Sequence, residues 1–279
     1  MSSDDRMTVS SLISNARFEL IPLKNLEAQI AAIPPSSRLS MTCSPAKGLG
    51  ATLDLTARLT DLGHKVVPHL SARLVRDKQH TQELASWLAD HGVDEIFVVG
   101  GDSPDPIGDY VDAVGFMRDL LNGDHSLTSV GFTAYPDGHT SIPSPILSVA
   151  LAAKQTLLKD AGVLGHVSTQ MCFDADKIQS WLAGERANGF VLPVHLGIPG
   201  VIDRTKLVTM GARLGIGSSL RFVKKNRSTL TRLLRPGGYN PSTLLKKIGP
   251  ASARLGIEGL HVFTFNEVAA TVEWHRSQM

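Results

Sequence analysis

Polar side chains at the ends of apolar runs are the residues of this chain best suited to chemistry. Glu19 lies inside the run "FELIP" at 18–22, and Asp102 follows the glycine pair Gly100-Gly101 at the end of the run at 95–100. A buried carboxyl group costs free energy unless it is paired or functional, so Glu19 is the first candidate for a functional role. Other polar residues could hydrogen-bond a ligand in the same region, namely Thr42, His69, Tyr135, His139 and Gln170.

Eight short apolar runs must position these residues, because the candidates lie near or after their carboxyl ends. The runs alternate with segments of helical spacing, such as 77–92 and 144–162, and Gly92, Gly162 and Gly189 lie where helices should end. Strand alternating with helix eight times predicts a parallel (β/α)8 TIM barrel, whose ligands bind at the carboxyl ends of the strands. The predicted strands are 18–22, 39–43, 66–70, 95–100, 130–136, 166–173, 190–197 and 260–265.

A doubly wound open sheet is the competing fold, but no GxGxxG fingerprint follows the first strand. The interval between strands seven and eight is unusually long and predicts extra helices there. No linker divides the chain, so we expect one TIM-barrel domain over residues 1–279. The first part of it, residues 1–14, is predicted to be a flexible N-terminal tail.

The composition is ordinary for a soluble globular protein. Hydrophobic residues make up 42% of the chain and charged residues 19%. The two cysteines, Cys43 and Cys172, form no CxxC pair, which argues against a disulfide framework and favours a reducing cytoplasm. The sequence begins without a secretory signal and has no run of about 20 apolar residues, so we expect a cytoplasmic protein with no membrane partner.

Positive charge is concentrated in one segment of the chain. From Arg204 to Arg254 there are twelve Lys or Arg and no Asp or Glu, whereas the rest holds 16 basic and 26 acidic residues. Such a field attracts anions, and Arg221, Lys224 and Lys225 are the candidate anion-binding residues. The alternative is that these cations simply face solvent. Aromatic residues for base stacking are scarce here, so nucleic acid is not an expected partner.

Seven fragments of the sequence, taken in order, resemble the methylenetetrahydrofolate reductase family. They are "FELIP", "VVPHLSAR", "GGDSPDP", "GFTAYPDGH", "STQMCFD", "HLGIPG" and "HVFTFN", and they extend over about residues 17–275. The resemblance implies a barrel that reduces 5,10-methylenetetrahydrofolate to 5-methyltetrahydrofolate with NADH or NADPH. It implies a folate as the small-molecule substrate and leaves open whether the chain forms a homo-oligomer.

The resemblance also implies roles for single residues. Glu19 takes the place of the general acid, which donates a proton to the folate N10 so that a reactive iminium can form. Burial raises the pKa of such a carboxyl, so it could hold that proton near neutral pH. Asp102 takes the place of a second catalytic carboxylate beside the pterin ring and the flavin, and Gln170 that of a folate-contacting glutamine. Positions that match the flavin pocket are Thr42, His69, Gly101, Tyr135 and His139, and Tyr135 also counts as substrate-binding.

Each of these roles has a simpler alternative. Thr42 and Asp102, taken singly, could cap helices instead. His69 and Tyr135 could be ordinary residues of the barrel core with satisfied hydrogen bonds.

Three departures from the family pattern concern the flavin. The family commonly has Arg-Gly-Asp after strand four, where this chain has Gly100-Gly101-Asp102. The helix after strand five, which usually supplies an Asp and a Lys, is largely apolar and offers Lys154 or Lys159 as substitutes. Asn266 is followed by Glu267 where the family has Arg. These departures argue against tight FAD binding and favour direct hydride transfer from nicotinamide to the iminium, with FAD held by other contacts as the alternative.

Other chemistries fit the sequence less well. The ten histidines include no HExxH motif and no His-x-His within a strand, so no metal site is predicted. A GxSxG elbow for Ser/His/Asp catalysis is also missing. Two further functions stay open: a folate-dependent methyltransferase on the same kind of barrel, and a barrel that binds folate or flavin without turnover.

Overall fold

The computed structural model describes residues 3–202 and 241–279, and in them eight parallel strands close into a barrel. Each strand pairs with the next one along the chain, and the last pairs with the first. The (β/α)8 barrel predicted from the sequence is therefore confirmed. The strands are β1 (Ala16–Leu20), β2 (Arg38–Met41), β3 (Lys65–Ser71), β4 (Glu95–Val99), β5 (Ser129–Ala134), β6 (Leu164–Thr169), β7 (Val194–Pro199) and β8 (Ile257–Phe263).

Helices surround the barrel and return the chain from the carboxyl end of one strand to the amino end of the next. The α-helices are α1 (Ser3–Ser14), α2 (Gly48–Asp61), α3 (Lys78–Asp90), α4 (Ala113–Asn122), α5 (Ser144–Ala161), α6 (Ala175–Ala187), α7 (Ser242–Leu255) and α8 (Val268–Gln278). Short 3-10 helices lie at Lys24–Ala32 and Ala72–Leu74. Of the extra helices predicted between strands seven and eight, α7 is observed, and the others would fall on residues 203–240, outside the described ranges. None of the described helices is both long and apolar enough to cross a membrane.

Side chains at the helix ends explain several boundaries. The carboxylate of Asp112 accepts hydrogen bonds from the first backbone N–H groups of α4, and Asp174 does the same for α6. Gly162, predicted to end a helix, follows α5 in the left-handed conformation with φ of 67°, which lets its N–H reach the last carbonyl groups.

Two local predictions differ from the structure. Residues 3–14 form α1 instead of a flexible tail, because Leu12 and Ile13 are buried and α1 packs against α7 and β8. The seventh strand begins at Val194, four residues later than predicted. Pro193, which precedes it, has no N–H to donate to the strand ladder.

The outer face of the strands carries apolar side chains, and the inner face carries polar side chains together with the ring of Phe97. Leu39, Phe132 and Leu196 belong to the apolar core of the fold and are fully buried. By contrast, the Phe97 ring of β4 lies 4.6 Å from the ring of His69 and 5.9 Å from that of His261. Since these rings come from three different strands, the contacts place them inside the barrel.

Glycines of the inner face leave room for these rings. A Cβ atom on Gly131 of β5 would overlap the rings of His166 and Phe97. The bare backbone of β5 therefore forms part of the wall against which the two rings pack.

Candidate functional site

Glu19 is the carboxyl group at the centre of the candidate site. On β1 the flanking residues Phe18 and Leu20 belong to the apolar core outside the barrel, whereas Glu19 points inward near the end of the strand. Its exposed fraction is 8%, and this burial raises its pKa from 4.5 to about 7. The group can therefore hold or release a proton near neutral pH.

Two histidines from other strands lie beside Glu19. The Nε2 atom of His261 lies 2.8 Å from Oε2 of Glu19, and Nε2 of His69 lies 2.6 Å from the hydroxyl of Ser40. Burial lowers the pKa of each imidazole to about 3, so both rings are neutral at physiological pH. The contact of Glu19 with His261 is consequently a hydrogen bond that shares one proton. The carboxylic acid donates to the imidazole, or the imidazole N–H donates to the carboxylate.

Residues after β8 hold the backbone at Glu19 and just after it. The hydroxyl of Thr264 donates to the carbonyl oxygen of Glu19 over 2.6 Å. The buried amide of Asn266 accepts from the N–H of Ile21 and donates to its carbonyl, both over 2.9 Å. Phe265 and Asn266 have φ values of 51° and 60°, a left-handed conformation that is uncommon for residues other than glycine. This turn directs the Asn266 side chain onto the end of β1 and fixes the position of Glu19.

A second cluster of polar residues lies inside the barrel, closer to the amino ends of the strands. Arg17, two residues before Glu19, donates to the carboxylate of Glu95 over 2.6 Å and lies 3.5 Å from Nε2 of His166. The ring of His166 lies 4.6 Å from that of His195. Burial lowers the pKa of both these histidines, and the charge of Arg17 contributes to the same effect. The Glu95 carboxylate balances the positive charge of Arg17 within the barrel.

Asp102 lies on the exposed loop after β4. Gly101 before it has φ of 100°, and a Cβ atom there would overlap the Ser71 side chain at the end of β3. A Cβ atom on Gly100 would meet no atom within 4 Å, so this position borders open space. The helix-cap alternative for Asp102 does not hold, since Asp112 caps the following helix α4.

Tyr135 and His139, both predicted to line the ligand pocket, contact each other after β5. Their rings meet edge to face with centroids 5.1 Å apart, and the hydroxyl of Thr133 donates to that of Tyr135. Burial raises the pKa of Tyr135, and the negative charge of Asp102 raises it further. Asp102 and Tyr135 therefore lie on the same side of the barrel, within electrostatic range.

Thr42 and Gln170 begin the loops after β2 and β6. The hydroxyl of Thr42 is buried with no hydrogen-bond partner among the described residues, and it caps no helix. The side-chain carbonyl of Gln170 accepts from the N–H of Met171 over 2.9 Å. Gln170 would have to turn away from its own backbone to contact a ligand, and the Thr42 hydroxyl is shielded from solvent.

The two lysines proposed to replace the flavin contacts of the family are badly placed for that purpose. The Nζ atom of Lys154 lies 4.4 Å from the centre of the Phe132 ring, and burial lowers its pKa to about 8. Lys159 is exposed in the last turn of α5, about 22 Å along the axis from the helix start at the strand ends. Exposed apolar residues occupy the outer face near that start, with Ile146 56% and Val149 66% exposed. On this helix the described residues do not fit the dinucleotide half of FAD.

The candidate anion-binding residues Arg221, Lys224 and Lys225 lie outside the described residues. Of the same basic segment, α7 carries Lys246, Lys247 and Arg254, all exposed to solvent.

The structure also forms a cluster that the sequence did not predict. Single ligand atoms of Glu19, His69 and His261 all lie within 4.8 Å of one another. Two imidazoles and one carboxylate are a donor set suited to divalent transition metals. The expectation of no metal site was based on motif spacing within one segment, whereas these residues come from β1, β3 and β8.

Comparison with known proteins gives little information about function. No family model matches the sequence. Solved structures of similar shape include tryptophan synthase from M. tuberculosis, with a TM-score of 0.49 and 12% identity, covering 99% of this chain and 98% of that one. Dihydropteroate synthase from Burkholderia cenocepacia has a TM-score of 0.44 and 15% identity, and the match covers 94% of this chain and 89% of that one. Oxaloacetate acetylhydrolase has a TM-score of 0.43 and 13% identity, and the match covers 90% of this chain and 95% of that one. With TM-scores below 0.5 and such low identity, these structures carry no argument about the activity of this chain.

Several residues of the site were missed at the level of sequence. Ser40, His261, Thr264 and Asn266 contact Glu19 or its neighbours but were not assigned roles. The sequence signal that could have found them is the presence of polar residues at every second position of a strand, as in Arg17 and Glu19 or His166 and Ser168. In a strand covered on both faces, that alternation indicates a polar barrel interior.

Proposed function

We propose that this protein is an enzyme that reduces 5,10-methylenetetrahydrofolate to 5-methyltetrahydrofolate and oxidises NADH or NADPH, without tightly bound FAD. The observation that carries the proposal is the buried Glu19 carboxyl, hydrogen-bonded to His261 at the strand ends where a (β/α)8 barrel binds its ligands. The resemblance of seven ordered sequence fragments to the reductase family supplies the substrate.

The reaction begins with proton transfer from Glu19. The protonated carboxyl donates to N10 of the folate, the bond between N10 and the methylene carbon breaks, and an N5 iminium cation forms. A pKa of about 7, raised by burial, leaves a large fraction of the carboxyl protonated at neutral pH. His261 holds the carboxyl in place through the shared hydrogen bond, while Thr264 and Asn266 hold the strand that carries it.

Hydride transfer completes the reduction. The dihydronicotinamide C4 gives a hydride to the methylene carbon of the iminium, producing the N5-methyl group and the oxidised nicotinamide. Asp102 accepts hydrogen bonds from the pterin amino group and N–H, and its charge stabilises the cation. Tyr135 lies on the same side of the barrel and offers a flat ring and a hydroxyl to the ligands.

Direct transfer is favoured over a flavin-mediated route by the environment of the strand-five helix. Lys154 is buried against Phe132 and Lys159 lies at the far end of α5, so neither suits the flavin phosphates. Gly100 also lacks the cation that the family has at this position.

The test is a spectrophotometric assay of NADH and NADPH oxidation with methylenetetrahydrofolate, on protein stripped of flavin. We expect oxidation without added FAD, and Glu19→Gln should lower kcat by roughly 10²- to 10⁴-fold while retaining folate binding. Glu258→Gln, a change of an exposed carboxylate on β8, is the matched control.

Three results would contradict the proposal. Flavin absorbance in proportion to protein after purification, or oxidation only with FAD, would reject the flavin-free route. Methyl transfer without nicotinamide consumption would favour the methyltransferase. Folate binding with no turnover of any kind would favour a binding protein.

A further inference from the structure

Three potential metal ligands converge inside the barrel from strands that are far apart in sequence. Glu19 is on β1, His69 on β3 and His261 on β8, and one ligand atom of each lies within 4.8 Å of the others. All three residues are buried, with exposed fractions of 8%, 6% and 2%. Groups brought together in this way are already largely immobilised, so little ordering is needed for an ion to bind.

The distances are close to those of a bound ion. Zinc binds imidazole nitrogen and carboxylate oxygen at about 2.1 Å, which places two ligand atoms of a tetrahedral site about 3.4 Å apart. Nε2 of His261 and Oε2 of Glu19 are 2.8 Å apart, and an ion between them would replace their shared proton. All three ligand atoms lie within 4.8 Å of one another, so small side-chain movements would bring them to these distances.

Charge and neighbouring contacts also suit a divalent cation. Burial favours the neutral imidazoles that act as ligands, and Glu19 supplies one negative charge. Arg17, whose charge acts on both histidines, is balanced by Glu95 at 2.6 Å. An ion bound through Nδ1 of His69 would leave the contact of Nε2 with the Ser40 hydroxyl at 2.6 Å in place, as outer contacts do in metal sites.

We propose that Glu19, His69 and His261 form a site for one divalent transition-metal ion, preferentially Zn²⁺, and that the bound ion inhibits the enzyme. Three protein ligands leave a fourth position for water. Inhibition follows because a carboxylate bound to metal cannot donate a proton to the folate. The inhibition rests on the proposed function, whereas the binding does not.

The binding test uses Co²⁺ as a spectroscopic probe on tag-free protein treated with chelator and then desalted. We expect one Co²⁺ per chain with the intense visible bands of a four-coordinate ion, displaced by one equivalent of Zn²⁺. Glu19→Gln, His69→Asn and His261→Gln should each weaken Co²⁺ binding by roughly 100-fold or more. The matched controls are His91→Ala, which removes an exposed histidine, and Glu258→Gln, and both should bind like the wild type.

Circular dichroism verifies that each variant is folded, and any one folded ligand variant is sufficient for the test. Absence of stoichiometric Co²⁺ binding, or wild-type affinity in a folded ligand variant, would overturn the site.

The inhibition test separates this inference from the proposed function. Added Zn²⁺ should reduce NADH or NADPH oxidation with a midpoint equal to the Zn²⁺ dissociation constant, which is obtained from the displacement of Co²⁺ after correction for the competing Co²⁺, and chelator should restore the rate. Co²⁺ binding that depends on the three ligands, in a protein without reductase activity, would refute the proposed function and leave the metal site intact. Reductase activity that is unaffected at saturating Zn²⁺ would refute the inhibition.

Discussion

Replacement of Glu19 by glutamine should change how the stability of the protein depends on pH. Burial raises the pKa of Glu19 from 4.5 to about 7, so between these values the native state keeps a proton that the unfolded chain has released. Wild-type stability should therefore fall as pH rises through this window. The total effect of the shift is about 3 kcal/mol, because each pKa unit corresponds to about 1.4 kcal/mol.

Glutamine does not titrate, so the variant lacks this loss. Its free energy of unfolding relative to wild type should increase by about 2 kcal/mol between pH 5.5 and pH 8, since part of the loss has already occurred at pH 5.5. Urea unfolding, followed by tryptophan fluorescence in the presence of chelator, measures the difference. Contributions from all other titrating groups cancel when the two proteins are compared at each pH.

Glu258→Gln provides the reference, because an exposed carboxylate is solvated in both states and should give a nearly constant difference. If the Glu19→Gln difference were equally flat, the carboxyl would not be desolvated in the native protein. A difference of opposite sign would show that Glu19 is stabilised as the anion, and the reasoning about its proton would be wrong.

Two further predictions concern stability away from Glu19. Gly101→Ala should lower the free energy of unfolding by about 2 kcal/mol, because the φ of 100° is strained for alanine and the new methyl group overlaps Ser71. Gly100→Ala, where a Cβ atom meets no neighbour, should be tolerated. Thermal unfolding of the two variants measures the difference. Burial lowers the pKa of His195 from 6.5 to about 3. Below about pH 6.5 the unfolded chain therefore binds a proton at this residue that the native state does not bind, and the stability of the protein falls as the pH is lowered. His195→Gln should lose less stability than wild type between pH 7 and pH 5, by about 1 kcal/mol after allowance for partial exposure, and equal losses in urea titrations would contradict this.

The barrel could be predicted from the sequence because its evidence is local. Each strand and helix is marked by its own apolar pattern, and Gly162 or Asp112 marks an end within a few residues of it. The polar residues at the carboxyl ends of the strands could be assigned to one face for the same reason, once the barrel was inferred. Strand limits were less accurate, as β7 shows, because an apolar run does not reveal where the hydrogen-bond ladder begins.

The partners of Glu19 could not be predicted, because they depend on closure of the barrel. His261 is 242 residues away in sequence and meets Glu19 only when β8 pairs with β1. The turn that places Asn266 depends on two left-handed residues, neither of them glycine, so composition gives no sign of it. The cluster of Glu19, His69 and His261 could not be found from motif spacing for the same reason.

The bare backbone of Gly131 has a consequence for the history of this barrel. Since the rings of His166 and Phe97 occupy the volume that a side chain at position 131 would need, position 131 cannot gain a side chain while both rings stay in place. In natural relatives, a larger residue on β5 should accompany smaller ones on β6 or β4. The interior of such a barrel can change by exchanges of volume between strands, and at this level the His166 ring fits because β5 has no side chain at position 131.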